Sequence, residues 1–402
     1  DSNGPLEGLK VLEATTSVAG PVVGTVLADL GAEVIKCDQP NVGDLCRKVP
    51  PFVTGGISPL DSSAYHLSIN RNKKNITLDL KQPEARDIFL DIARGMDVVV
   101  ENYKPGTMEK WGVGYEDVKR VKSDIIYTSV SGFGQFGPYH TRPGYDPVGQ
   151  AMGGLMSITG YPDSPPTRTG NAMADNITGW MGALSTLAAL RYHDRTGKGQ
   201  HVDACLVDTI LYTSEFGITA TAHSDFRWTR TGSRMPIVAP MNVFKCKDDY
   251  VFVLTALDSH WAKLCKVIGR EDLITDTRTA TIPARGENWE FIEEVFSNWV
   301  REYTVKEVRE IFDQEGLVSS EILNFEQILE NEHILEREMV TETDHPHIGK
   351  MKLYGVGPKF SLTPARVRSP APLMGQHNED ILQGQLGISA EKMSALKEKG
   401  VI

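Results

Sequence analysis

Asp175 stands where a long Gly/Pro-rich stretch runs into the apolar segment DNITGWMGALSTLAALRYHDRTGKGQ, in the place of a helix N-cap. A helix N-terminus favours negative charge by about 0.3–1 kcal/mol, so this carboxylate is expected to stay ionised at neutral pH. It suits either a cap or a nucleophile. Arg71, Lys73 and Lys74 in NRNKKNITLDL form a dense basic cluster ahead of a strand, fit for the phosphates of a nucleotide-type cofactor or for a solvated loop. Gly132, Gly134 and Gly137 in SVSGFGQFGPY have the GxGxxG spacing directly after the strand-like DIIYTSV.

A dinucleotide site needs such glycines to open a helix, because the pyrophosphate rests on the N–H groups of its first turn. Pro138 and Pro143 close that option. Ser157 stands about 20 positions on, where the dinucleotide pattern requires an acid at a strand end. The glycines serve instead to bring backbone N–H groups close to a ligand, or simply to turn. His345 and His347 share one side of an extended DHPHIG segment, but Pro346 and the lack of nearby cysteine argue against a metal site. Tyr145 in PGYDPVGQ fits a pocket wall or a core equally well.

The elements that must position these residues read as repeated strand and helix. GLKVLEAT, SVAGPVVGTVLADLGA and AEVIKCD form one such unit, and NITLDL, KQPEARDIFLDIAR, MDVVVEN, YEDVKRV and DIIYTSV continue it. This alternation predicts an α/β fold with an open parallel sheet and right-handed crossovers. Residues 138–175 are expected to be loop with at most one short helix. The segment after Asp175 carries Trp180, Met181, Leu184, Leu187 and Leu190 on most of its sides, which predicts a buried helix ending at the Gly197 turn. HVDACLVDTILY reads as a strand running into a helix. From 230 to 335 short strands such as YVFVLTAL and charged helices such as WEFIEEVFSNWVREY describe a smaller α+β domain. The expected organisation is a large domain over 1–225, a small domain over 230–335 and a segment, 340–402, that returns to the large domain.

Composition narrows the function. The 402 residues carry a formal net charge of −11, which argues against nucleic acid as the main partner. No apolar run reaches the roughly 18 residues of a membrane span, and no leader is read at the start, so a cytoplasmic protein is expected. Cys37, Cys46, Cys205, Cys246 and Cys265 are widely spaced without a CxxC pair, as expected of reduced, buried thiols.

Taken in order, PLEGLKVLE, AGPVVGTVLADLGAEVIKCD, NRNKKNITLDL, ENYKPGTMEKWGVGYE, SVSGFGQFGPY, PGYDPVGQAMGG, ADNITGWMGALSTLAALRYHDRTGKGQHVDACLVD and GPKFSLTPARVRSPAPLMGQHNEDIL resemble the class III coenzyme A transferases, with the alpha-methylacyl-CoA racemases as relatives. The resemblance implies a large Rossmann-like domain assembled from both ends of the chain, a small domain, and two interlocked subunits, either identical or paralogous. It also implies that Asp175 matches the nucleophilic aspartate, which carries acyl anhydride and aspartyl-CoA thioester intermediates. Substrates would be an acyl-CoA and a carboxylic acid, with coenzyme A as the carried group and no metal. Arg71 and Asn102 match positions that approach CoA. Lys74 joins them as a phosphate ligand, and the N–H groups around Gly132 and Gly134 would face the developing oxyanion.

Departures from the formyl-CoA branch fall at Val18, Ser131, Phe133 and Gln39, which replace its Gln, Lys, Tyr and Arg. With Val18, Phe133 and Tyr145 lining the substrate pocket, an acid larger or more apolar than oxalate is expected, an aromatic or branched dicarboxylate among them. The racemase branch has Gly-His-Asp where this chain has Gly144, Tyr145 and Asp146, and a phenol with a pKa near 10 is a poor base at neutral pH. A non-catalytic subunit of a heteromeric transferase is the other alternative, and the intact Asp175 speaks against it.

Overall fold

The computed structural model of the protein describes residues 4–55 and 58–402. The chain forms two compact units, one built from residues 1–155, 169–215 and 332–402, the other from 156–168 and 216–331. The first holds a six-stranded sheet in the order β3-β2-β1-β4-β5-β6, whose strands are β1 (Lys10–Ala14), β2 (Glu33–Asp38), β3 (Lys73–Thr77), β4 (Val98–Glu101), β5 (Ile126–Ser131) and β6 (Gln200–Cys205). Every pairing in it is parallel, as the strand and helix alternation predicts.

Period-two alternation divides the core. Leu12, Ile35, Ile76, Val99 and Tyr127 pack on one face with the helix α2 (Pro83–Ala93), while Val11, Val34, Val98 and Ile126 pack on the other with α1 (Ala19–Asp29). The strands nevertheless bury charge. Glu13 and Lys36 are register partners with fully buried side chains, Lys36 Nζ lies 3.3 Å from Glu13 Oε1, and Lys73 Nζ lies 2.9 Å from Glu13 Oε2. Asp38, Asp44 and Arg47 extend this ionic stripe.

The helix after the Gly/Pro stretch, α5 (Met173–Thr196), departs from expectation in two ways. Its buried face is made of small residues, Ala174, Gly179, Gly182, Ala183 and Ala189, because it crosses α1 closely: a Cβ on Gly179 would lie 2.4 Å from Val22. The large side chains Trp180 and Leu184 face outward, 54% and 61% exposed. The stretch before it contains two short helices where at most one is expected, α4 (Asp146–Met152) and a single turn at Leu155–Ile158. Between α2 and α4 lies α3 (Tyr115–Val121). β6 runs directly into α6 (Leu206–Tyr212), as HVDACLVDTILY predicts.

In the second unit a three-stranded antiparallel sheet, β7 (Met241–Lys245), β8 (Tyr250–Leu254) and β9 (Val318–Glu321), packs with helices around Trp261, Phe296 and Phe312. A hairpin, β10 (Val340–His345) and β11 (Gly349–Tyr354), belongs to the first unit. The last residues also join the first unit: the Asn378 side chain accepts from Thr77 N at 2.9 Å, and Val401 O accepts from Asp79 N at 2.8 Å. No helix among the described residues is long and apolar enough to cross a membrane.

Candidate active site

The strand order changes direction between β1 and β4, and in open parallel sheets the crevice beyond the carboxyl ends at such a switch is where ligands bind. Here that crevice is a cleft of about 220 Å³. Thr16 and Ser17 after β1, Asn102 and Lys104 after β4, and Gly132 after β5 form one side of it; Arg142, Tyr145 and Asp175 complete it.

The loop after β1 is held rigidly. Asn102 clamps the Thr16 peptide from both ends, its Oδ1 accepting from Thr16 N at 2.8 Å and its Nδ2 donating to Thr16 O at 2.7 Å. Ser17 adopts a left-handed φ of 67°, which costs a non-glycine residue about 1–3 kcal/mol unless its surroundings fix it. Asp44 does so, accepting from Ser17 N at 2.7 Å and from the Thr16 hydroxyl at 2.9 Å. Burial would raise the Asp44 pKa, but Lys36, 2.9 Å away, and the N–H of Cys46 hold it at about 2. The buried ionic stripe thus ends against Thr16 and Ser17, which line the cleft.

Asp175 is not the helix cap. Ala172 occupies that position and Asp175 lies in the first turn. The cap is Asp146, from α4: its Oδ1 accepts from Ala174 N at 2.7 Å and Asp175 N at 3.2 Å, and its Oδ2 accepts from Gln150 at 2.8 Å. Asp175 is buried. Burial first, and the neighbouring Asp146 charge second, push its pKa up to about 7, against the expectation that the helix end keeps it ionised. The donors that would have favoured ionisation are taken by Asp146. Glu101, at the end of β4, is likewise raised to about 8 by burial, while accepting from Tyr103 N at 2.9 Å.

Of the other sequence-expected site residues, Asn102, Gly132 and Tyr145 line this cleft. Gly132 lies so close to Gly144 that a Cβ on it would meet Gly144 Cα at 2.7 Å. Gly134 lies deeper in the turn, at φ 88°, its N–H donating to Ser131 Oγ at 2.9 Å. Phe133 packs edge-on against Tyr139. Val18 lines a second, largely apolar cavity of about 750 Å³ with Arg71, Trp180 and Tyr354. Arg71 is buried there: Nε and Nη2 donate to Asp29 at 3.2 and 2.7 Å, Nη1 donates to Tyr354 O, and the guanidinium lies 3.9 Å from the Tyr354 ring. Lys74 is the second residue of β3, near the strand's N-terminal end and so at the opposite end of the sheet from the cleft, and pairs with Glu33 at 3.0 Å. Neither cation reaches Asp175's cleft.

Four residues of the cleft region escape sequence reasoning: Asp44, Lys104, Arg142 and Asp146. Lys104 and Arg142 both follow carboxyl ends of strands, the edge where a parallel sheet binds ligands, and that placement is the signal that would have marked them. Among the described residues no group of three or more His, Cys, Asp or Glu side chains is arranged to hold a metal ion.

A buried carboxylate at the switch point of an open parallel sheet lies where such sheets bind and process ligands, and similarity to known proteins specifies the class of enzyme. Residues 6–378 match the model of CoA-transferase family III, and the chain belongs to that family. It is 35% identical over 399 residues to the succinyl-CoA–D-citramalate CoA-transferase of Chloroflexus aurantiacus, covering 99% of this chain and 98% of that one. It is 34% identical over 404 residues to the succinyl-CoA:glutarate CoA-transferase of Mus musculus, covering 100% and 91%. A crystal structure of a CaiB/BaiF family protein from Brucella suis superposes with a TM-score of 0.83 at 32% identity, covering 95% of this chain and 99% of that one.

Proposed function

We propose that the protein moves coenzyme A from an acyl-CoA, succinyl-CoA in the first instance, to a small dicarboxylic acid, with Asp175 as the covalent carrier. The observation that supports this most is the placement of a buried carboxylate, free of hydrogen-bond donors to its own oxygens among the described residues, in the cleft at the β1/β4 switch point. The named substrates of the two relatives, succinyl-CoA with D-citramalate or glutarate, supply the substrate class.

In this reading ionised Asp175 attacks the thioester carbonyl and CoA thiolate leaves, giving an acyl-aspartyl anhydride. The thiolate attacks the aspartyl carbon, releasing the donor acid and leaving an aspartyl-CoA thioester. The acceptor carboxylate attacks that thioester, the thiolate departs again, and its attack on the acceptor's acyl carbon delivers the new acyl-CoA and free Asp175. No proton is gained or lost. Burial strengthens each step by keeping water from the activated carboxyl, and the backbone around Gly132, beside Asp175 in the cleft, offers N–H groups for the tetrahedral oxyanions. A racemase would need a second proton-transferring group facing the alpha carbon, and the residues lining the cleft include no histidine.

The two large apolar side chains on the outer face of α5, Trp180 and Leu184, favour assembly of two chains across that helix. The deciding experiment incubates succinyl-CoA with candidate diacids and follows CoA exchange, with hydroxylamine present in a parallel sample. Exchange together with an aspartyl hydroxamate at residue 175 supports the assignment. Deuterium entering the alpha carbon without exchange refutes it.

A further inference from the structure

The cleft beside Asp175 contains two cations, Lys104 and Arg142, and neither forms an ion pair with an acidic side chain among the described residues. Both residues are exposed but line the same small cleft, and in a chain of net charge −11 two such cations favour an anion there. Arg142 is the better defined of the two. Its guanidinium carbon Cζ lies over the Tyr139 ring, 3.7 Å from the centroid, and Tyr139 is itself braced edge-on by Phe133. The turn that carries both closes through Arg142 N donating to Tyr139 O at 2.8 Å, and Gly144, two residues on, abuts Gly132 backbone to backbone. Stacking occupies the face of the guanidinium and leaves its N–H edge free, the geometry that accepts a carboxylate through two parallel hydrogen bonds.

We propose that Arg142 is the specificity-determining residue that selects dicarboxylic over monocarboxylic acids, by binding the carboxylate remote from the one that reacts at Asp175. The inference rests on the transferase reading above and adds the residue that sets its substrate class. An anion here has two sources, the remote carboxylate of the acid and a phosphate of CoA. The cleft, at about 220 Å³, falls below the roughly 300–1,000 Å³ of sites that enclose larger organic ligands. It has room inside for a short acid, whereas the nucleotide of CoA would have to lie outside it.

The test compares glutarate with pentanoate as acceptors from saturating succinyl-CoA, in the wild type, Arg142→Gln and Arg142→Lys, and measures binding of free CoA to the same proteins by calorimetry. The ratio of kcat/KM for diacid over monoacid is expected to fall by about 10- to 100-fold in Arg142→Gln. Arg142→Lys should recover part of it, since charge returns without the paired edge. Affinity for free CoA, which has no such carboxylate, should stay within about twofold of the wild type, the scatter of a contact not made. An unchanged ratio overturns the proposal. So does a ratio unchanged alongside weakened CoA binding, which assigns Arg142 to a phosphate. Failure of the wild type to exchange CoA with any acid instead overturns the transferase reading itself, and the role of Arg142 with it.

Discussion

The carboxylate of Asp146 accepts the backbone N–H of Asp175 at 3.2 Å, so one acid secures the helix turn on which the other sits. Asp146 satisfies two N–H groups of that turn and brings a negative charge next to Asp175 while withholding the donors that would have compensated it. Burial first, and this neighbouring charge second, push the pKa of Asp175 up to about 7.

Replacing Asp175 by Ala should reduce CoA exchange by at least about a thousandfold, the scale of losing a covalent carrier, as followed by mass analysis of the CoA products. The isosteric Asp175→Asn variant adds a stability readout. Because the folded pKa lies above the ordinary value of 3.8, the wild type is penalised as pH rises from about 4 through 7, where ionisation is resisted in the fold and not in the unfolded chain. The variant should therefore unfold at a higher temperature than the wild type at pH 8, and the difference should shrink towards pH 4 and vanish below about pH 3.

The rate of acyl transfer to the enzyme should rise with pH through an apparent pKa of about 7, since only ionised Asp175 attacks. In Asp146→Asn the side-chain oxygen still caps the helix, but the charge is gone. The acid limb of kcat/KM for the donor should move to lower pH, by less than the whole shift, because burial is the larger cause. A pH profile of the half-reaction measures this directly.

Asn102→Ala removes both hydrogen bonds that clamp Thr16. Each partly buried backbone group left without its partner costs about 1–3 kcal/mol, so denaturant unfolding should show a loss of that order. The freed loop should raise KM for the acyl-CoA more than it lowers kcat.

Gly144→Ala tests the closeness of two backbones. A Cβ at residue 144 would lie 2.7 Å from Gly132 Cα, and a backbone neighbour cannot rotate away. We expect destabilisation of about 1–3 kcal/mol, the usual cost of overpacking, with a larger loss of exchange activity than of melting temperature because Arg142 and Tyr145 ride on the same loop.

Much of the sheet is legible from sequence because each strand is a short apolar run bounded by turn residues, and the helices between them repeat every three to four positions. The site is less so, since it is made by contacts distant along the chain. That Asp146 caps a helix beginning at Met173, and that Arg71 is consumed by Asp29 and Tyr354, cannot be seen in local patterns. Lys74 lies near the N-terminal end of β3, and in a parallel sheet that end faces away from the crevice beyond the carboxyl ends. Trp180 and Leu184 lie on the outer face of α5 because the inner face has room only for small side chains against α1, a packing fact that composition alone does not reveal.

The charges inside the sheet have a consequence for how the chain finds its alignment. Were β2 to slide by one position along β1, Lys36 would swing to the hydrocarbon side and Glu13 would lose its register partner. Such a misaligned sheet would bury an ammonium and a carboxylate apart, at a penalty of several kcal/mol for each ion. A greasy strand tolerates near-misses; this one, keyed by opposite charges, admits a single alignment.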